Sequence, residues 1–129
     1  MFQMQHLRVP HLSGIDVAYY MPKPYDRSKA TLVLIHGFSM SSHVFTGHFQ
    51  SQNLTSEMNL LGIDVIGHGE TRVKNETFTY WDTAIMIVQL LDALSINEAF
   101  ILGTSHGGCI AVRTYLIAPE KVSNSCHKI

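Results

Sequence analysis

A chain of 129 residues is long enough for one domain with a moderate core. Nine Lys and Arg against ten Asp and Glu leave a formal charge of −1, and no basic run occurs, which argues against nucleic acid or an anionic membrane as partner. Its two cysteines, Cys109 and Cys126, make neither a disulfide framework nor a zinc pattern, and no apolar run approaches the roughly 18 residues of a membrane span. Met1 to Pro10 lacks an export signal, so a cytoplasmic protein is expected. The sequons at Asn53 and Asn75 then carry no weight.

Residues 3–9 and 15–21 hold short apolar segments divided by Pro10 and Ser13-Gly14, which predicts a leading antiparallel strand pair. After a polar loop, Thr31-Leu32-Val33-Leu34-Ile35 is apolar on both faces and reads as a buried strand of a parallel sheet. Behind it, Ser41 or Ser42 is placed to cap a short helix through about Phe49. Met58 to Ile63 reads as the next strand, and residues 72–78 as polar loop. Thr79 and Asp82 have capping-box spacing at the head of a helix, Tyr80 to Leu94, with an apolar arc of Ala84, Ile87, Val88, Leu91 and Leu94. Asp82, Gln89 and Asp92 are assigned to its solvent side. Ala99 to Leu102 is a third central strand, followed after Ser105 by a helix that Pro119 stops. This alternation predicts α/β architecture with a mostly parallel sheet and flanking helices.

The third strand runs straight into Gly103-Thr104-Ser105-His106-Gly107, a G-x-S-x-G pentapeptide between strand and helix. Small residues two places either side of a serine let the backbone turn sharply enough to leave that serine strained and projecting. Taken by itself the segment also reads as a glycine-rich turn with a capping serine. It fits neither phosphate-binding pattern, G-x-G-x-x-G or G-x-x-x-x-G-K-[ST], and has no lysine nearby. Two further motifs end the other predicted parallel strands, His36-Gly37-Phe38 and Asp64-Val65-Ile66-Gly67-His68-Gly69, where open α/β sheets place ligands.

In this order and spacing the three motifs resemble the first half of the α/β-hydrolase family, from about Leu7 through Val122. The resemblance implies a serine hydrolase acting on a small-molecule ester, thioester or amide, with no cofactor and no metal. Ser105 is then the nucleophile, and the backbone N–H groups of Phe38 and His106 form the oxyanion hole. His36, Gly37, Gly103 and Gly107 brace the loops or border the substrate. Asp64 and Asp92 are expected to be loop and surface residues, and Cys109 packing.

In this family the triad's acid and histidine follow the serine, yet only 24 residues follow Ser105. Residues 123–129 lack an apolar run and read as a tail outside the family pattern, after a partial domain at 1–122. The chain thus reads as the N-terminal half of the sheet, lacking the C-terminal strands and truncated after the nucleophile helix. Little or no activity is expected of it alone. The alternative is a non-catalytic fragment, a binding or dimerising module. With later strands missing, the segment 99–102 is expected to be an exposed edge open to self-association.

Overall fold

The computed structural model describes residues 2–128, with side chains through residue 123. Two strands, β1 (Gln5–Val9) and β2 (Ile15–Tyr20), pair antiparallel from Gln5↔Tyr19 to Val9↔Ile15. There follow β3 (Ala30–Ile35), a 3₁₀ turn at Ser42–Phe45, α1 (Thr46–Phe49), α2 (Gln52–Glu57), β4 (Met58–Ile63) and the two-residue β5 (Arg72–Val73). The chain continues through α3 (Tyr80–Ala93), β6 (Ala99–Gly103), α4 (His106–Ile117) and β7 (Val122–Lys128). The sheet order is β1-β2-β4-β3-β6-β7, with β5 set beside β2. The pairs β4–β3, β3–β6 and β6–β7 are parallel.

Alternation along the central strands divides the core in two. Val33, Ile35, Leu61, Ile63 and Ile101 point to one face, where they pack with Met86, Ile87, Leu90 and Leu91 of α3 and Ile110 and Ala111 of α4. Leu34 and Leu60 point the other way, against Phe45 and Phe49 of the short helical segment. Each such aliphatic side chain contributes about 1.5–3 kcal/mol by leaving water. A buried polar clamp holds the entry to β3, since Asn59 donates to the carbonyls of Asp26 and Lys29 at 2.8 and 3.1 Å. Among the described residues no helix is long and apolar enough to cross a membrane.

Three expectations are corrected. Ala99–Gly103 is not an exposed edge, because β7 lies beside it in parallel, from Ala99↔Val122 to Leu102↔Lys128 with a register shift between. The stretch from Ser123 onward carries no apolar run, but strand pairing uses backbone N–H and C=O groups that every non-proline residue has, and buried Val122 anchors its start. Side chains beyond Ser123, including Cys126 and His127, lie outside the described residues. On α3, Asp82 and Gln89 are half-buried rather than on the solvent side. The turn His11–Ser13 docks there: His11 donates its amide to Gln89 Oε1 at 3.0 Å and Nε2–H to Asp82 Oδ1 at 2.8 Å. Asp92 is exposed as expected and pairs with Lys121. Finally, the loop assigned to residues 72–78 begins with β5, which pairs Val73 with Ile15.

Candidate active site

Between β6 and α4 only Thr104 and Ser105 make the turn. Thr104 N–H donates to the Ile35 carbonyl at 3.1 Å, pinning the turn to the C-terminal end of β3. Ser105 then adopts φ 54° and ψ −119°, a conformation that costs a residue with a side chain about 1–3 kcal/mol. Such strain persists only where packing over-determines it. A Cβ on Gly103 would strike the Gly107 carbonyl, and one on Gly107 would strike the Ile35 carbonyl and lie 2.6 Å from that of His36. The helix therefore starts closer to the strand ends than any side chain permits, and the backbone between has no freedom left. Ser105 stands exposed, and its hydroxyl makes no hydrogen bond among the described residues.

Opposite the serine, Gly37 to Met40 forms a turn closed by Met40 N–H to the Gly37 carbonyl at 3.3 Å, with Ser39 at φ 65°. A Cβ built on Gly37 would lie 3.7 Å from Ser105 Cβ, so this loop sits in van der Waals contact with the elbow. The N–H groups of Phe38 and His106 both lack an acceptor among the described residues. The next two amides of α4 turn back instead, Gly107 to the Thr104 carbonyl at 2.8 Å and Gly108 to that of Ser105 at 2.9 Å. The amide of His106 is thus an orphan donor at the positive end of a twelve-residue helix.

His36, fully buried, donates from Nδ1 to the Gly37 carbonyl at 2.7 Å and accepts the Val65 amide on Nε2 at 3.1 Å. Both nitrogens are committed, which fixes a neutral tautomer; burial lowers its pKa further than the Gly37 carbonyl raises it. His36 therefore ties the loop after β3 to the loop after β4. A second tie is Asp64, expected at the surface but buried. Its carboxylate accepts from the amide and hydroxyl of Ser42, both at 2.8 Å, and from the amide of Glu70 at 2.9 Å. Two of these donors lie 22 residues away at Ser42, which is why the motif did not betray the burial.

His68 donates from Nδ1 to the Ile66 carbonyl at 3.1 Å, and its Nε2 is neither paired among the described residues nor buried. Its ring lies 5.5 Å from those of both Phe38 and His106. His106 packs 4.7 Å from Tyr80, and burial, with smaller contributions from His68 and His36, lowers its pKa. These residues, with Phe78 and Thr83, line a cavity of about 340 Å³ beside the elbow. A larger cavity of about 520 Å³ opens between Lys29 and Glu98 at the opposite strand ends, and neither Phe38 nor His106 lines it. The seven residues singled out in the sequence, His36, Gly37, Phe38, Gly103, Ser105, His106 and Gly107, thus gather at one sheet end. His68, Phe78 and Tyr80 were missed as cavity walls; the only sequence signal was their aromatic character on loops after β4 and at the head of α3.

A mostly parallel sheet with helices against both faces and a strained serine at its C-terminal end defines the hydrolase class of α/β folds. The α/β-hydrolase fold family matches residues 30–125, and the chain belongs to it. It is 29% identical over 93 residues to the dihydrolipoyllysine-residue acetyltransferase component of the acetoin cleaving system of Pseudomonas putida, covering 72% of this chain and 25% of that protein. It is also 29% identical over 115 residues to the uncharacterized hydrolase YugF of Bacillus subtilis, covering 87% of this chain and 40% of the relative. Among solved structures, a hydrolase from Pseudomonas aeruginosa superposes with a TM-score of 0.81 at 26% identity, over 94% of this chain and 43% of that one. A structure from a study of carboxylesterases of Nitrososphaera gargenis gives 0.80 at 27% identity, over 92% and 42%. The chain thus spans less than half the length of these relatives.

Proposed function

We propose that the elbow is the nucleophilic half of a serine hydrolase site acting on a small acyl substrate, an ester, thioester or amide. The observation that carries this reading is the strained, exposed Ser105, held within van der Waals reach of the loop whose Phe38 amide is unpaired among the described residues. Ser105 Oγ, losing its proton to water, would bond the acyl carbon, and the carbonyl oxygen would take the developing charge between the amides of Phe38 and His106. Collapse would expel the leaving group with a proton from water, and a second water would cleave the acyl ester to restore the serine. Removing one such donor from a working site typically costs about 10²–10³ in rate.

The serine proton needs an acceptor, and no imidazole among the described residues bonds Ser105 Oγ. His36 is spent on two backbone partners. We therefore assign this chain by itself little turnover, on the order of the 10³–10⁴ over water that binding and an oxyanion hole alone sustain. Labelling with a small fluorophosphonate, compared with Ser105→Ala, tests the assignment. Slow labelling confined to Ser105 supports it. A folded protein in which that serine never reacts favours the non-catalytic reading, a module of hydrolase descent, for which the lack of an imidazole bonded to Ser105 among the described residues is the argument.

A further inference from the structure

The cavity beside the elbow has mostly aromatic walls, and two of its residues, His68 and His106, carry ring nitrogens unpaired among the described residues. Phe38, Phe78, Tyr80 and the ring of His106 present aromatic faces and edges, and Thr83 is buried behind them. Phe38 itself is 69% exposed, an aromatic ring held at the mouth with little to cover it. Of these two imidazoles, His68 has a hydrogen bond that fixes its tautomer, and His106 has none among the described residues. Because Nδ1 of His68 faces a carbonyl, which can only accept, the proton of the neutral ring sits on Nδ1. Its Nε2 is left as a lone pair, unpaired among the described residues and open.

We infer that this cavity selects an aryl acyl group carrying a ring hydroxyl, with the ring against Phe38, Phe78 and Tyr80 and the hydroxyl donating to Nε2 of His68. The inference rests on the nucleophile reading above and names the substrate class for it. About 340 Å³ is ample for a single substituted ring. Edge-to-face contacts favour an aryl ring over a saturated ring of equal size. An O–H donor satisfies the lone pair, whereas an ether oxygen at the same place would face it acceptor to acceptor. His68 is on this reading a specificity-determining residue and takes no part in the bond changes at Ser105.

The test titrates the protein with cyclohexylacetate, phenylacetate, para-hydroxyphenylacetate and para-methoxyphenylacetate, followed by ligand-observed NMR. Phenylacetate is expected to bind about threefold more tightly than cyclohexylacetate. The hydroxyl should add a further three- to tenfold, and the methoxy group should add nothing. His68→Phe should erase the hydroxyl gain and keep the preference for an aryl ring. His68→Gln, which places an amide oxygen near the Nε2 position, should keep part of the gain, and it carries the test if the phenylalanine variant does not fold. Equal affinity for the hydroxylated and plain acids, a gain that survives His68→Phe, or no saturable binding overturns the inference. Fluorophosphonate labelling separates the two readings: labelled Ser105 without a hydroxyl preference sinks the pocket assignment alone. Selective arylacetate binding with an inert Ser105 upholds the pocket and sinks the nucleophile.

Discussion

His36, the first residue after β3, accepts the amide hydrogen of Val65 at 3.1 Å, and this bond joins the two loops that frame the elbow. It exists only while the ring is neutral. Burial holds the pKa of His36 below its ordinary 6.5, so the unfolded chain takes up a proton at a pH where the folded chain refuses it. The stabilisation is complete above about pH 6.5 and is lost as pH falls from there through the depressed folded value. His106, also lowered by burial, acts in the same direction. His6 acts oppositely: its bond to Glu70 raises its pKa, so what it contributes is present below 6.5 and lost as pH rises, and its exposure screens it. Melting temperature between pH 8 and pH 5 should therefore fall more steeply for the wild type than for His36→Asn, whose side chain does not titrate. Equal slopes would refute the assignment.

Glycine substitutions should separate close packing from open space. Gly107→Ala places a methyl group against the carbonyls of Ile35 and His36, both backbone atoms of a central strand end. A loss of about 3 kcal/mol in urea unfolding is expected, at the upper end of overpacking costs because backbone cannot rotate away. Gly47→Ala is the control. A Cβ there meets nothing within 4 Å, so the variant should be neutral or gain roughly 0.4–1 kcal/mol by restricting the unfolded chain.

The same contrast explains what was readable from the residues alone. The central strands announced themselves because β3 and β4 are buried on both faces, which forces an unbroken apolar run such as Thr31 to Ile35. The elbow was legible because its glycines answer a steric demand made within five residues. Features built from pairs remote in sequence were not. Asp64 collects donors 22 positions away at Ser42, and His11 reaches Asp82 across 71 positions, so neither burial leaves a local pattern. β7 escaped notice for a different reason: a strand held by pairing at the sheet's end needs hydrogen bonds more than hydrophobic alternation.

Asp64→Ala should be among the most damaging single changes outside the hydrophobic core. It leaves the Ser42 amide and hydroxyl and the Glu70 amide without their acceptor in buried or half-buried positions. Bonds to a charged acceptor are worth roughly 1.5–3 kcal/mol each, and partial rehydration of the Glu70 end reduces the total, so about 3–5 kcal/mol is expected. Hydrogen exchange gives the sharper check. The Ser42 and Glu70 amides should lose protection in Asp64→Ala, while the β3–β4 ladder keeps its own. Uniform loss across both would mean that the carboxylate supports the whole sheet and not the two loops.

Asp82→Ala tests a smaller and more local arrangement. Asp82 accepts from the Thr79 amide at 2.7 Å, from its hydroxyl at 3.1 Å and from His11 at 2.8 Å, so one carboxylate closes the head of α3 and anchors the turn between β1 and β2. Partial burial works to raise its pKa, but the Thr79 amide, His11 and the Thr79 hydroxyl outweigh it, and the net direction is down from 3.8. The stabilisation is therefore present above about pH 3.8 and lost as pH falls through the lower folded value. Near neutral pH the alanine variant should lose about 1 kcal/mol for the cap. Asp82→Asn keeps one acceptor oxygen for Thr79 but forfeits the charge opposite His11, so it should fall between wild type and Asp82→Ala at pH 6. The asparagine variant should approach the wild type below pH 3, where the wild-type carboxyl is neutral as well. Were the two curves to stay parallel down to pH 2, the charge on Asp82 would contribute nothing and the cap alone would account for the residue.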